Sequence, residues 1–247
     1  MNDGVQLVIP LAGDGQRFRD KYSCPKPLIS VNGEKMISLA VRTLGIPYES
    51  SVFIIRKDHD ENHALSTEIT KIDSKSSIVC IDKLTSGPCS TALLSSPYLD
   101  MEKPLVIANC DQVMGWNGMK FLRYCIRENY DGVVVTYHET TPKNSYARLN
   151  MNGDVVEIQE KKPISSVSLN GIHFWKKAGY FVDSANEMMR RDDRTNGEFY
   201  IAPSYNYMLA SGLKVGIFHI PNEQHNAIGT TDDLEEYIHK TSSIGLR

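Results

Sequence analysis

Short apolar runs that alternate with amphipathic segments are the feature of this sequence that most limits its fold. The apolar runs have the pattern of buried strands and lie at residues 5–9, 51–56, 76–81, 104–109 and 131–137. The segments between them have the spacing of helices with one apolar face, at residues 35–44, 59–72, 89–96 and 117–129. This alternation predicts a parallel sheet with helices on both faces.

The pattern changes after residue 145. Two short runs flank Asn152-Gly153, a dipeptide that favours a β-hairpin. The sequence then predicts a strand at 168–175, helices at 177–191 and 199–211, and a strand at 214–220. Because no linker rich in proline or serine interrupts the chain, we expect one continuous domain over residues 1–247, whose second half covers one side of the first.

Composition excludes several classes of protein. The 247 residues carry a formal net charge of −3, which argues against binding to nucleic acid or to a membrane surface. No apolar stretch approaches the roughly 18 residues that span a bilayer, and we find no signal peptide. The five cysteines form no C-x-x-C pair, so neither a disulfide framework nor a zinc ribbon is expected. We therefore expect a cytoplasmic protein.

A glycine-rich loop follows the first predicted strand. Gly13 and Gly15 are followed by Phe18 where the dinucleotide-binding fingerprint needs a third glycine, and no Gly-Lys-Ser/Thr closes a P-loop. Such a loop lets the backbone approach a phosphate, and Arg17 adds a cation to it. Phosphate binding and a plain tight turn both remain open for the loop alone.

Lys26 lies between two prolines, Pro25 and Pro27. Each proline restricts its own backbone and that of its predecessor, so the lysine sits on a stiff, non-helical segment. A preorganised cation loses less entropy when it binds an anion. Together with Arg17, only nine residues earlier, Lys26 favours a phosphate site over a solvated loop.

An acid ends the strand near residue 107. In Asn109-Cys110-Asp111, the aspartate has the position of either a magnesium ligand or a helix-capping residue. Ligands of parallel sheets bind at the carboxyl ends of the strands. We therefore expect the loop 13–17, the turn 85–90 and the segment 109–112 to meet at one edge of the sheet.

The order and spacing of these motifs resemble those of sugar-phosphate nucleotidylyltransferases, of which the glucose-1-phosphate thymidylyltransferase type is the familiar case. The resemblance rests on Gly13-x-Gly15-x-Arg17, Pro25-Lys26-Pro27-Leu28 and Asn109-Cys110-Asp111. It continues through Glu160-Lys161, Asn170-Gly171, Gly197-Glu198 and Gly229-Thr230, and so covers nearly the whole chain. It implies a Rossmann-like three-layer α/β/α sandwich with a mixed, mostly parallel sheet.

The family resemblance also implies an activity. Members join a nucleoside triphosphate to a phosphorylated small molecule and release pyrophosphate, and some use phosphocholine or another phosphate that is not a sugar. The resemblance assigns residues 1–145 to the nucleotide and residues 146–247 to the acceptor. It implies a role in precursor synthesis for a surface polysaccharide such as capsule or lipopolysaccharide, and it allows a homo-oligomer.

The resemblance implies a role for each matched residue. The residues implied in nucleotide binding are Leu11, Ala12, Gly13, Gly15, Thr85, Ser86, Gly87 and Asn109. The residues implied in acceptor binding are Glu160, Asn170, Gly171, Glu198 and Tyr200. The residues implied in catalysis are Arg17, Lys26, Asp111 and Lys161, with Asp111 as the ligand of Mg²⁺. By composition alone, Glu160 with Lys161 is a charged turn, and Glu198 with Tyr200 caps and packs a helix.

The C-terminal motif departs from the family pattern. Members often carry a second metal-binding carboxylate just before the Gly-Thr, and here Ala227 has that position. Thr230 and Asp233 have the spacing of a capping box for a helix over 231–240. We therefore expect Asp111 to be the dominant protein ligand, with Asn226 as a weak oxygen ligand at most.

Two other functions share parts of this pattern. A nucleotide-sugar-dependent glycosyltransferase has the same type of fold, but Asn109 replaces the first acid of its Asp-x-Asp metal motif. A non-catalytic nucleotide-binding protein would not need both Arg17 and Lys26. The sequence names neither the base, among CTP, dTTP, UTP and GTP, nor the acceptor.

Overall fold

The computed structural model describes residues 4–242, so the ends of the expected domain, 1–3 and 243–247, lie outside the described residues. Nine strands of this region form one sheet, and two pairs of short strands lie apart from it. The strands are β1 (Gln6–Pro10), β2 (Ser30–Val31), β3 (Glu34–Lys35), β4 (Ser50–Arg56), β5 (Ser77–Ile81), β6 (Leu105–Ala108), β7 (Gln112–Met114), β8 (Gly132–His138), β9 (Ser145–Leu149), β10 (Val155–Glu160), β11 (Val167–Trp175), β12 (Val215–His219) and β13 (His225–Ala227).

The large sheet is mixed, and seven of its nine strands in the described region point the same way. Its hydrogen-bonded order is β10-β9-β11-β6-β1-β4-β5, and β8 pairs with β11 and with β12. β11 runs antiparallel to β6, β8 and β9, and β10 runs antiparallel to β9. The strands of the alternating region, β1, β4, β5, β6 and β8, all point the same way, as the alternation predicts, and the mixed, mostly parallel sheet implied by the resemblance is confirmed.

The helices cover both faces of the sheet. They are α1 (Gln16–Arg19), α2 (Met36–Leu44), α3 (Lys57–His63), α4 (Leu65–Ile72), α5 (Pro88–Leu93), α6 (Gly118–Arg127), α7 (Ala178–Arg190), α8 (Ser204–Ala210) and α9 (Thr231–Ser242). Side chains of α2, α4 and α6 share one apolar cluster with one face of the sheet, and those of α5, α7 and α8 share another with the opposite face. Successive residues of β1 point to opposite faces, as Leu7 and Val8 do, because side chains alternate along a strand.

A third apolar cluster holds the C-terminal helix against the first half of the chain. Leu234 of α9 packs with Phe18 of α1, Met36 of α2 and Val113 of β7. β13 pairs with β7 immediately after Asp111. The C-terminal segment is thus attached beside the end of β6. None of the described helices is long and apolar enough to cross a membrane.

Two predicted helices are wrong in extent. The helix expected at 59–72 is broken at Ala64, whose φ of 52° is left-handed, so α3 ends and α4 begins there. The helix expected at 199–211 begins only at Ser204. Phe199 is instead held in a non-helical segment, because its N–H donates to the Ser86 carbonyl (2.8 Å) and its carbonyl accepts from the Cys89 N–H (2.9 Å).

Candidate active site

Two adjoining cavities open where β1 and β6 end. The smaller has a volume of about 500 Å³ and the larger about 820 Å³. Both are lined by Arg17, Asn109, Asp111 and Gly229. The loop 13–17 and the segment 109–112 therefore meet at one edge of the sheet, as predicted from the positions of the strands.

The glycine-rich loop is tied to the neighbouring strand β4 at its base and near its tip. The Leu11 N–H donates to the Ile54 carbonyl at 2.7 Å, and Arg56 Nη1 donates to Asp14 Oδ1 at 3.0 Å. Gly15 has a φ of 63° and immediately precedes α1. That conformation favours glycine, so Gly15 sets the direction in which Arg17 leaves the loop.

Lys26 begins a single 3₁₀ turn over Lys26–Leu28. The expectation of a non-helical segment is wrong in this detail: the Ile29 N–H donates to the Lys26 carbonyl at 3.1 Å and closes the turn. Pro25, which precedes the turn, has an extended backbone with ψ at 145°. The side chain of Lys26 is therefore presented from a short, rigid element.

Lys26 forms an ion pair with Asp111. Lys26 Nζ donates to Asp111 Oδ2 at 2.5 Å, and the two side chains are 19% and 29% exposed. Burial opposes both charges, but each partner favours the charged form of the other, so the pKa of Lys26 is raised and that of Asp111 is lowered. Two groups that the sequence placed in one site are thus in direct contact.

The backbone around Asp111 leaves little room beside its carboxylate. The Ile228 N–H donates to the Asp111 carbonyl at 2.9 Å. A Cβ atom at Gly229 would lie 2.9 Å from Asp111 Oδ2, closer than Cβ atoms lie in folded proteins. The glycine of the C-terminal Gly-Thr motif therefore permits the close approach of this segment to Asp111.

A second close approach sets the wall of the larger cavity. The pairing of β11 with β8 is irregular between Leu169 and His173, and Gly171 within it has a φ of 88°. The Asn109 N–H donates to the Gly171 carbonyl at 3.1 Å. A Cβ atom at Gly171 would lie 2.2 Å from Asn109 Nδ2. Asn109 and Gly171 are therefore packed against each other between the two cavities.

The lining of the larger cavity also includes a lysine, a tyrosine and an acid. Lys161, with a left-handed φ of 54°, donates from Nζ to the Tyr200 hydroxyl, and Nζ lies 4.4 Å from the centre of that ring. Ser145 donates to the Glu160 carboxylate. Burial raises the pKa of Glu160, and it also raises that of Tyr200 with help from a hydrogen bond to Glu198.

The sequence analysis assigned no role to several residues that line the larger cavity. Gln112 is 4% exposed and lacks a hydrogen-bond partner for either amide atom among the described residues. Burial lowers the pKa of His173 to about 3 and that of His225 to about 4, so both imidazoles are neutral at pH 7. Gln112 directly follows Asp111 in sequence and could have been found, whereas His173 and His225 come from distant strands.

Comparison with solved structures identifies the fold. A nucleoside-diphosphate-sugar pyrophosphorylase from Vibrio cholerae RC9 matches with a TM-score of 0.81 at 20% identity, over 94% of this chain and 99% of that one. An inositol-1-phosphate CTP transferase from T. maritima gives 0.76 at 13% identity, over 96% and 94% of the two chains. A candidate glucose-1-phosphate thymidylyltransferase from Bacillus anthracis, in complex with sucrose, gives 0.76 at 18% identity, over 95% and 94%. This chain has the fold of the sugar-phosphate nucleotidylyltransferases.

Comparison with curated sequences agrees with this fold. The bifunctional protein GlmU of Clostridioides difficile (strain 630) is 24% identical over 228 residues, which cover 86% of this chain and 46% of that protein. The chain thus spans about half the length of the curated relative it matches. No protein-family model matches the chain. The resemblance drawn from the motifs is therefore confirmed at the level of the fold.

Within this nucleotidylyltransferase fold, most residues expected in the site line the two cavities. The smaller cavity is lined by Leu11, Gly13, Gly15, Lys26 and Glu198, and the larger by Glu160, Lys161, Asn170, Gly171 and Tyr200. Ala12, Thr85, Ser86 and Gly87 line neither of them, although their neighbours Leu84 and Pro88 do. Thr85 donates instead to the Gly87 carbonyl at 2.9 Å and so closes its own turn.

The C-terminal motif caps a helix. The Asp233 N–H donates to Thr230 Oγ1 at 3.1 Å, and that hydroxyl contacts Asp233 Oδ2 at 2.6 Å, so the predicted pairing of Thr230 with Asp233 is confirmed. Ala227 lines the larger cavity where an acid was sought. Asn226 lines neither cavity, and its Nδ2 donates to the Val113 carbonyl while its oxygen accepts from Lys240, so its role as a weak oxygen ligand stays a prediction.

We predict that Thr230→Ala lowers the free energy of unfolding by about 0.5–2 kcal/mol, the usual cost of a lost N-cap. Asp232→Asn removes only a charge from the first turn and should cost about 0.3–1 kcal/mol. Urea denaturation of both variants measures the difference. An unchanged free energy of unfolding for Thr230→Ala would mean that the Thr230 hydroxyl does not stabilise the helix.

Proposed function

We propose that the protein is a nucleotidylyltransferase of the EC 2.7.7 type. It would join a nucleoside triphosphate to a phosphorylated small molecule and release pyrophosphate. The observation that carries the proposal is the convergence of Arg17, Lys26 and Asp111 where two cavities meet, with Lys161 on the wall of the larger one. Two substrates that are both anions need cations at such a junction.

The two cavities suggest where each substrate binds. The smaller one, bordered by the glycine-rich loop and Lys26, suits the triphosphate, because backbone N–H groups and a fixed cation favour phosphate. The larger one suits the acceptor, since it combines Lys161 and Glu160 with the amides of Asn170 and Gln112. In this assignment, residues 1–145 serve mainly the nucleotide and residues 146–247 mainly the acceptor.

The chemistry requires positioning more than it requires a base. The acceptor phosphate is already an anion, so its oxygen can attack the α-phosphorus in line while pyrophosphate leaves. Lys26 would contact the α-phosphate, and Arg17 would stabilise the charge that develops on the leaving group. Lys161 would hold the acceptor phosphate, which brings two anions to reacting distance.

A magnesium ion fits the oxygen donors at this junction. Asp111 lines both cavities. Residues 4–242 contain no group of three or more His, Cys, Asp or Glu side chains that could hold a metal ion, so the protein itself would supply few ligands. Mg²⁺ commonly binds one or two carboxylates, and substrate phosphates and water complete its octahedron. Asp111 would hold the ion, which when bound would stabilise negative charge on the phosphate oxygens.

We further propose that the enzyme acts in the cytoplasm on precursors of a surface polysaccharide. Support for the compartment comes from the cysteines, all five of which are free thiols. Support for the pathway comes from the resemblance alone. The base and the acceptor are left to experiment.

A matrix of CTP, dTTP, UTP, GTP and ATP against phosphorylated sugars, alcohols and amino-acid derivatives, read by pyrophosphate release, tests the proposed activity. We expect one triphosphate and one acceptor class to give Mg²⁺-dependent release. Tight triphosphate binding without release from any pair would favour a non-catalytic binding protein. Turnover of a preformed nucleotide sugar, without use of triphosphate, would favour a glycosyltransferase.

We predict that Lys26→Ala lowers kcat/KM by on the order of 10², because a fixed cation at the α-phosphate acts in the transition state. The matched control is Lys177→Ala, which removes a lysine whose ion pair with Glu102 has the same length of 2.5 Å but lies outside both cavities. Steady-state kinetics of the two variants decide the point. Normal turnover by Lys26→Ala would remove this residue from the mechanism.

We predict that Asp111→Asn nearly abolishes Mg²⁺-dependent turnover, because the substitution removes the proposed carboxylate ligand. Asp232→Asn serves as the control, since Asp232 lines neither cavity. Turnover is measured against Mg²⁺ concentration for both variants. A rise in the Mg²⁺ requirement of Asp232→Asn as large as that of Asp111→Asn would extend the metal site into the C-terminal motif.

A further inference from the structure

Lys26 and Asp111 form an ion pair with each other, so neither charge is free to bind a substrate or a metal ion. The two charges are 2.5 Å apart and largely shielded from solvent. If the proposed function holds, which this inference assumes, Lys26 turns to a phosphate and Asp111 turns to a metal ion. The pair must therefore break whenever the site is loaded.

Loading Asp111 alone would leave a cation without a partner. A metal ion bound at Asp111 would deprive Lys26 of its counter-ion. The positive charge of Arg17 also acts on Lys26. Breaking a buried pair by removing one partner is costly, because the remaining charge stays out of water. The added positive charge of the metal increases that cost. Lys26 therefore opposes metal binding to the free protein.

Binding of a phosphate at Lys26 alone would leave an anion without a partner. A triphosphate that binds Lys26 without a metal leaves the Asp111 carboxylate beside phosphate oxygens of like charge. Asp111 therefore opposes the binding of metal-free triphosphate.

We propose that Lys26 and Asp111 are exchangeable counter-ions that make the binding of metal and triphosphate mutually dependent. When the two arrive together, the metal replaces Lys26 at Asp111 and a phosphate replaces Asp111 at Lys26. Neither of the two partly buried charges is left without a partner. The free protein then rejects the metal alone and the triphosphate alone, and it accepts their complex.

Metal binding to the nucleotide-free protein gives the first test. Mn²⁺, whose free concentration is measured by electron paramagnetic resonance, serves as the probe. We expect Lys26→Met to bind Mn²⁺ at least about fivefold more tightly than the wild type, the low end of ordinary coupling between sites. The variant would thus gain metal affinity while it loses turnover, which a merely damaged site would not do.

Triphosphate binding in the presence of EDTA gives the reciprocal test. Among CTP, dTTP, UTP, GTP and ATP, the probe is the one that the wild type binds most tightly with Mg²⁺. We expect Asp111→Asn to bind it without metal at least about fivefold more tightly than the wild type does. The wild type should bind that triphosphate more tightly when Mg²⁺ is added, and Asp111→Asn should lose this gain. Calorimetry measures all four affinities.

Two further variants keep the result interpretable. Lys177→Met breaks an ion pair of the same 2.5 Å length with Glu102, outside both cavities, and should leave every affinity unchanged. Lys26→Gln replaces Lys26→Met if the latter does not fold, as judged by circular dichroism. It keeps a polar side chain without the charge and should show the same gain in Mn²⁺ affinity.

Three outcomes would overturn the inference. Mn²⁺ affinity that is unchanged or weaker in both Lys26 variants would show that Lys26 does not compete for Asp111. Triphosphate affinity of the wild type that is equal with and without Mg²⁺ would show that binding is not coupled. Absence of any triphosphate binding would remove the premise. Coupled binding without pyrophosphate release would instead support the inference and contradict only the proposed activity.

Discussion

The antiparallel strand β11 is the constraint on which the rest of the structure depends. It pairs with β8 along one edge and with β6 and β9 along the other, so it joins β6 and its parallel neighbours to β8 and to the β9–β10 pair. Its irregular pairing around Gly171 turns that residue toward Asn109. Because β11 joins the parts of the sheet, the ends of strands from both halves of the chain lie at one edge, where the two cavities open.

The charge states of the side chains at that edge depend on how the chain packs around them. The turn that carries Lys26 and the end of β6 that carries Asp111 are brought to 2.5 Å, and each stabilises the charge of the other. His173 and His225 of the larger cavity are instead neutral at pH 7, because burial lowers the pKa of both, and at His225 it outweighs the nearby carboxylates of Asp111 and Asp233. The site therefore combines a charged junction with two neutral imidazoles in the lining of the larger cavity.

The sequence predictions succeeded where one local rule decides the conformation and failed where distant backbone does. Thr230 and Asp233 formed the predicted cap because both partners lie within one helical turn. The segment from Phe199 to Pro203 had helical spacing, yet its N-terminal residue pairs with the turn near Ser86. The base contacts at Thr85 and Gly87 stay a prediction: neither residue lines either of the two cavities described, and hydroxyls of Thr85 and Thr91 donate to the Gly87 carbonyl within that turn.

Local sequence patterns were enough to predict the alternation of strands and helices, the glycine-rich loop with Arg17, and the stiff segment that carries Lys26 ahead of an acid at the end of β6. These features depend on residues close together in the chain, so spacing and backbone restriction are enough to predict them. The tertiary structure decided the antiparallel place of β11, the contact of Lys26 with Asp111, and the cavity walls from Gln112, His173 and His225. Those depend on strand pairing across the whole chain, which no local pattern encodes, because hydrogen bonds of a sheet join residues regardless of their separation in sequence.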